Sequence, residues 1–572
     1  MVNRRVLLVP ALAAAIAACA GASDDAHDEA ALAASDDAVD ALHYDITLKV
    51  DDGAGSFLAD VVGTYATTAP LGELPLDFEG NEVDAAFVGA TRTTFRREGA
   101  RLLVALPPGT VSPFDVRVQV HGAVGIAERM NADDLGNFGG LMLRQKNLEG
   151  GRIYTTMSWP QKTRRWLPLR DHPRDGATVA MHATFPARYR VLSNGIAQEP
   201  VANDDGTRTW SYAADAPMPP YAIHVSAYDR WNVGTARSAS GIPITTYTYP
   251  KHASTVRQVY GEAPAALDFF ERTYGPYRWK TLSYAEEPIF GGGMEHATVV
   301  SMDDGLVDDP AWARKTVWHE MAHHWSGNLV RLKTWNDFWL SEGFAEYLTA
   351  RAFGAIDGPD AMREQLRGYL ADALETEHQS PHPIAPQGNE VDVTSVYDAI
   401  SYHKGAVVLN HLAHMIGEEA MTTFLRGWFE RHAFQAVTTK ELETELSAAS
   451  GRDLSGFFRT FVHGSGHPHV TVTFEPKSAG TQLTIRQELV DGARGAFTFP
   501  LDLELSNGDD VQRVTVDVSD KLTTKLVTPG FVPSRVVVDP DAVLVGTLGC
   551  GGAKSATCPD DYRCKSNRCV AR

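Results

Sequence analysis

Two histidines four residues apart, with a glutamate beyond them, set the strongest constraint on how this chain folds. The segment is His319-Glu320-Met321-Ala322-His323, and eighteen residues separate His323 from Glu342 in the run Trp339-Leu340-Ser341-Glu342-Gly343-Phe344-Ala345-Glu346-Tyr347. Pro310 suits the first turn of a helix, Asp308 and Asp309 complement the positive end of its dipole, and residues 311–318 hold no breaker. A helix is therefore expected over 308–329. Residues four apart on a helix share a face, so His319 and His323 present their imidazoles one turn apart, as a tetrahedral zinc requires of two nitrogen ligands. Glu320 lies one residue round, placed to touch a water at the metal without ligating it. Glu342 falls on a second expected helix, 337–353, among apolar neighbours. An unpaired carboxylate there costs roughly several kcal/mol in desolvation, and a bound dication removes that cost. The competing reading, a chance pattern in a histidine-rich patch that includes His324 and satisfies core hydrogen bonds, does not account for Glu342.

With 572 residues, 44% of them hydrophobic, the chain can bury several cores, and about three or four domains are expected. The formal charge of −20 argues against a nucleic-acid partner. Arg4 and Arg5 precede an apolar run over 6–18 that is too short to span a bilayer as a mature helix. It ends in Ile16-Ala17-Ala18-Cys19, which resembles a bacterial lipoprotein signal. Residues 1–19 are read as a signal whose Cys19 becomes lipidated and tethers the protein to a membrane surface of the bacterial envelope. A plain secretory signal cut nearby is the alternative and would leave a periplasmic or secreted protein; both readings export it. Residues 20–42, rich in Ala and Asp, read as a flexible acidic linker. The four remaining cysteines, Cys550, Cys558, Cys564 and Cys569, crowd into 547–572. In an exported protein they form a disulfide-stapled tail with three possible pairings; a second zinc site is disfavoured because no Cys-x-x-Cys pair is present.

Between these ends the pattern changes twice. Period-two alternation from His43 onward, recurring at 102–106, 114–120 and 179–185, predicts a β-rich region over 43–232. Helical patterns dominate from about 254 to 464, at 256–274, 308–329, 337–353, 360–375, 401–416, 418–432 and 439–449. Alternation returns at 469–474, 482–485, 501–505, 514–518 and 534–538, the signature of a small antiparallel sandwich over 466–546. No internal repeat is visible. The fold class is α+β multidomain.

Three motifs in this order resemble one known family. They are His319, Glu320, His323 and Glu342; Gly292-Gly293-Met294-Glu295-His296, at the position of a Gly-x-Met-Glu-Asn exopeptidase motif; and Tyr402-His403-Lys404-Gly405, at a Tyr-Glu-Lys-Gly. Over roughly residues 43–546 the chain resembles the gluzincin zinc aminopeptidases of peptidase family M1, the aminopeptidase-N type. The resemblance implies a saddle-like N-terminal β domain over 43–232, a thermolysin-like, mainly helical catalytic domain over 233–465, the sandwich over 466–546 and a Cys-rich tail. It also implies one zinc ion per chain, held by His319, His323 and Glu342, with Glu320 as general base and Tyr402 as oxyanion donor. Glu295 would pair with the substrate's α-ammonium, beside a backbone left open by Gly292, Gly293 and Met294. The activity implied is removal of N-terminal residues from peptides with a free N-terminus. Tyr397 is a weaker candidate to line the same cleft. The chain departs from the pattern at His296, which replaces an asparagine, and at His403, which replaces a glutamate. Residues 159–173 resemble an Arg-x-x-x-Pro-x-x-Asp-x-Pro segment, but the glutamine that many relatives use there as a second amine anchor is not evident at the matching position, where Trp159 or a neighbour falls, and that role is left unassigned. Two other readings share the architecture: the epoxide-hydrolase chemistry found within the family, and a catalytically silent surface protein that binds peptides. The intact Glu320 and Tyr402 argue against the silent binder.

Overall fold

The structure is a computed structural model that describes residues 38–126, 139–551 and 555–571; Cys19, the signal and most of the proposed linker lie outside them. The chain is mixed α+β, with a β-rich N-terminal region and a mainly helical region after it. Its contacts divide into two compact units that interleave along the sequence. The first takes the described residues up to Thr235 together with Thr245–Arg257 and Trp279–Ala313; the second takes Ala236–Ile244, Gln258–Arg278 and Arg314–Arg572. Contacts thus divide the chain differently from the change of pattern near residue 232.

In the first unit, the strand Val39–Asp51 pairs antiparallel with Ser56–Thr67 and parallel with Ala177–Pro186 inside a nine-stranded sheet. Its first four residues correct the expected linker boundary at 42. A register shift between Ala41 and His43 marks a bulge, and Leu42 is 40% exposed. The buried side chains switch from Val39 and Ala41 to Tyr44, Ile46, Leu48 and Val50. An extra residue reverses the alternation there, which is why the sequence pattern starts only at His43. Further along, Leu282–Glu287 pairs in parallel with Val299–Asp303, and this strand pairs antiparallel with the short edge strand Gly293–Met294.

The second unit is built on helices. The Pro310–Ala322 helix, which belongs to this unit from Arg314 on, is shorter than the expected 308–329: Asp309 caps it, its carboxylate accepting from the Trp312 amide (3.3 Å). Gly327 at φ 120° turns the chain after it into the strand Val330–Leu332. Trp339–Ile356 and Pro359–Gln379 follow, then Gly405–Ile416, Glu418–Arg431 and Thr439–Ser450. The last of these opens on a capping box between Thr438 and Glu441. The single helix expected over 256–274 is two, Val256–Tyr260 and Ala263–Tyr274. Beyond residue 466 come a four-stranded and a three-stranded sheet, with buried rows Val470, Val472, Leu483, Ile485 and Leu501, Leu503, Leu505. Leu522–Val527 is a strand that the alternation missed. The tail is closed by disulfides Cys550–Cys564 and Cys558–Cys569, and Arg367 on the Pro359–Gln379 helix reaches its Asp561 (2.8 Å). Among the described residues, no helix is long and apolar enough to cross a membrane.

One contact places two of these helices. A Cβ built on Gly343 meets the Gly405 Cα at 2.9 Å and the Ser401 carbonyl at 3.0 Å, so Trp339–Ile356 and Gly405–Ile416 touch backbone to backbone. Gly343→Ala should therefore cost about 1–3 kcal/mol in denaturant unfolding, because nothing soft lies in the way. Gly368→Ala, at an exposed helical position with open space around it, should instead be neutral or stabilise by about 0.5–1 kcal/mol.

Candidate metal centre

The helix Pro310–Ala322 carries His319, and His323, whose amide still bonds the His319 carbonyl (3.2 Å), follows one turn on. Glu342 comes from the first turn of Trp339–Ile356. The His319 and His323 Nε2 atoms lie 3.0 Å apart, and Glu342 Oε2 is 3.3 Å and 3.2 Å from them. A tetrahedral zinc with bonds of about 2.0–2.1 Å separates its ligand atoms by roughly 3.3 Å, so this donor set fits that ion. Glu342 Oε2 is buried and makes no hydrogen bond among the described residues, as expected of an atom facing a cation. Burial alone would raise its carboxyl pKa; His323 and His319 outweigh it and hold the group below the usual carboxylate range.

The remaining ring nitrogens both face oxygen atoms. His323 Nδ1 is 3.1 Å from the Ser326 carbonyl and 3.1 Å from Ser341 Oγ. With the proton assigned to Nδ1, the Nε2 lone pair is left for a metal. His319 Nδ1 faces Glu346 Oε1 at 3.5 Å. Glu346 carries no local signal of a site residue, although it lies four residues after Glu342 and hence on the same helix face. Lys315, four residues before His319, sits 3.2 Å from the Glu346 carboxylate, and His403 Nε2 approaches it at 3.8 Å while stacking on Tyr369 at 4.6 Å. Burial would raise the Glu346 pKa as well, but Lys315, His319 and His403 together hold it well below the usual range. His403, where a glutamate was expected, therefore meets a carboxylate supplied by another helix.

Glu320 is buried beside His319. His324 plays a packing role: its Nδ1 lies 3.2 Å from the Glu320 carbonyl, its ring packs on Tyr277, and burial drops its pKa to about 4. Tyr402 sits on a single wide, π-type turn, Ile400–Lys404, that runs into the helix Gly405–Ile416. Its ring lies parallel to that of His319 at 6.3 Å and edge-on to Phe338 and Tyr397 at 5.8 Å and 5.5 Å. The Gly343–Gly405 contact thus joins the helix bearing Glu342 to the turn bearing Tyr402.

Gly292, Gly293, Met294 and Glu295 belong to the first unit. Gly293 and Met294 form the edge strand, the Gly292 carbonyl accepts from Asp303 N (2.9 Å), and Glu295 follows, buried. His296 is locked behind it: its ring stacks on His224 at 4.2 Å, and its Nδ1 lies 2.9 Å from Ser301 Oγ. Ser301 donates to Glu287 (2.9 Å), and His224 Nε2 reaches the same carboxylate at 3.0 Å. Burial, and then His224, push the His296 pKa well below the ordinary value, so the imidazole is neutral. In the segment 159–173, Arg164, half-buried, pairs with the buried Asp171 at 3.1 Å.

Glu346→Ala should weaken zinc binding about 10–100-fold, by removing the oxygen that faces His319 Nδ1. Competition against a chromophoric chelator measures this without reference to activity.

Comparison with known proteins adds two family matches: residues 41–222 to the Peptidase M1 N-terminal domain and residues 260–461 to the Peptidase family M1 domain. The chain is 26% identical over 388 residues to glutamyl aminopeptidase of Bos taurus, covering 64% of this chain and 40% of that protein. Its identity to glutamyl aminopeptidase of Homo sapiens is 29% over 337 residues, covering 56% and 35%. To aminopeptidase N of Streptomyces lividans it is 29% over 412 residues, covering 65% and 46%. The chain thus spans less than half the length of each of these three relatives.

Proposed function

Because the chain belongs to peptidase family M1, we propose that it is an exported zinc aminopeptidase that removes N-terminal residues from peptides. The observation that carries this reading is the convergence of His319, His323 and Glu342 within 3.0–3.3 Å of one another, a donor set that leaves a fourth position free. Zinc bound there supplies Lewis acidity toward a carbonyl and acidifies water. Glu320 takes the proton of the attacking water on its carboxylate and returns it to the leaving amine. Tyr402 donates its hydroxyl proton in a hydrogen bond to the oxyanion that forms at the scissile carbonyl. Glu295 pairs with the substrate's α-ammonium, and the edge strand Gly293–Met294 offers its backbone to an extended peptide. Relatives named for aminopeptidase activity support the substrate class. Export and a lipid anchor at Cys19 are part of the same proposal and rest on the N-terminal sequence alone.

A panel of aminoacyl chromogenic amides, assayed with and without a chelator, tests the reading; hydrolysis abolished by the chelator and restored by zinc is expected. Glu320→Gln should lose turnover yet keep its zinc, since the side chain is a base and not a ligand. Tyr402→Phe should lower kcat about 10²–10³-fold. N-acetylated peptides cleaved as fast as free ones would reject the role given to Glu295. Cys19→Ser should move the protein from the membrane fraction to the soluble one.

A further inference from the structure

The chemistry above uses Tyr402 but does not explain a lysine buried two residues later. Lys404 is 1% exposed, and its partners Glu377 and His467 are 0% and 3% exposed. The Lys404 ammonium donates to Glu377 Oε1 and to the Gly466 carbonyl (2.9 Å), while Glu377 Oε2 lies 3.0 Å from His467 Nδ1. One carboxylate thus bridges the turn that carries Tyr402 and the strand His467–Lys477, the first of the C-terminal sheets. The carboxylate itself comes from the end of the helix Pro359–Gln379. Burial would raise the Glu377 pKa, but Lys404 and His467 hold the group ionised. At the other end of the turn, Asp398 accepts from the Ile400 amide (2.8 Å) and sits 2.8 Å from His382 Nε2. The turn is pinned on both sides.

Pinning matters because a π-type turn holds one residue more than an α turn. Relaxing it to α geometry rotates what lies on one side by about 100° relative to the other, which would carry the Tyr402 ring away from His319. We propose that Lys404, Glu377 and His467 form a positioning triad that ties the Tyr402 turn to the first sandwich strand, so that the C-terminal sheets set where the tyrosine hydroxyl reaches. The inference rests on the peptidase reading for its kinetic consequence and on the geometry for its structural one. The triad touches no reacting atom; it acts through Tyr402.

The test uses the full-length, zinc-loaded protein and the best aminoacyl amide of the panel. Lys404→Met should lower kcat about tenfold or more, a share of the 10²–10³ that such a donor supplies. KM should stay within about twofold, with zinc content unchanged. In a Tyr402→Phe background the same substitution should change kcat less than about twofold, because the group it positions is already gone. If Lys404→Met does not fold, the paired change Lys404→Met with Glu377→Met removes both charges and is tested in the same two backgrounds. Equal fractional losses with and without the Tyr402 hydroxyl, or a kcat unchanged by Lys404→Met, overturn the proposal and leave the triad a stabilising ion cluster. A crystal structure of Lys404→Met, or of the paired variant, with the Tyr402 ring still parallel to His319 overturns it independently of activity. A native protein that hydrolyses no aminoacyl amide sinks the peptidase reading instead, and the crystal structure then decides the triad alone.

Discussion

Positive charge meets two carboxylates one helical turn apart, Glu342 and Glu346, where the helix Trp339–Ile356 is buried. Each is 5% exposed, and an uncompensated acid in that setting costs roughly several kcal/mol. The fold answers with separate partners. Glu342 faces two imidazole nitrogens and a fitting cation position, while Glu346 faces Lys315, His403 and the far side of His319. His319 stands between the two carboxylates, one ring nitrogen toward each. The charge pattern of the helix Pro310–Ala322, with Lys315 and His319 one turn apart, is therefore the complement of the face it packs on.

How much of this was legible in the sequence depends on the range over which each signal acts. The spacing of His319 and His323 is local and periodic, so it points to one helix face without any knowledge of the fold. Glu342 could be paired with them because its own surroundings are apolar. Glu346 and Lys315 carry the same four-residue spacing but look like the ordinary charged side chains of a solvated helix; only burial sets them apart. Lys404 is further from reach, since its partners Glu377 and His467 are distant in sequence and nothing local marks a lysine as buried. The start of the strand Val39–Asp51 was hidden by a bulge at Leu42 that reverses the alternation. The tail's pairings, Cys550–Cys564 and Cys558–Cys569, depend on chain path, and spacing alone leaves three choices.

The two departures from the family motifs each have a physical setting. His403 turns toward Glu346 and stacks on Tyr369. His296 is buried as a neutral ring between His224 and Ser301. A neutral imidazole here fills a flat slot and donates one hydrogen bond, which fixes the backbone that also carries Glu295. In both places a bulkier side chain is accommodated by groups from other elements, so neither replacement can be judged from its own position.

The glycine contact between the two helices carries an evolutionary consequence. The residue after Glu342 and the third residue after Tyr402 share one point of van der Waals closure, so a methyl group added to either disturbs metal donor and tyrosine together. On the proposed peptidase reading, a lineage drifting toward loss of turnover would not shed one and retain the other by altering this seam. On that reading, descendants that bind without cleaving would be reached through the side chains given chemical roles, leaving the glycines behind as a trace of ancestry.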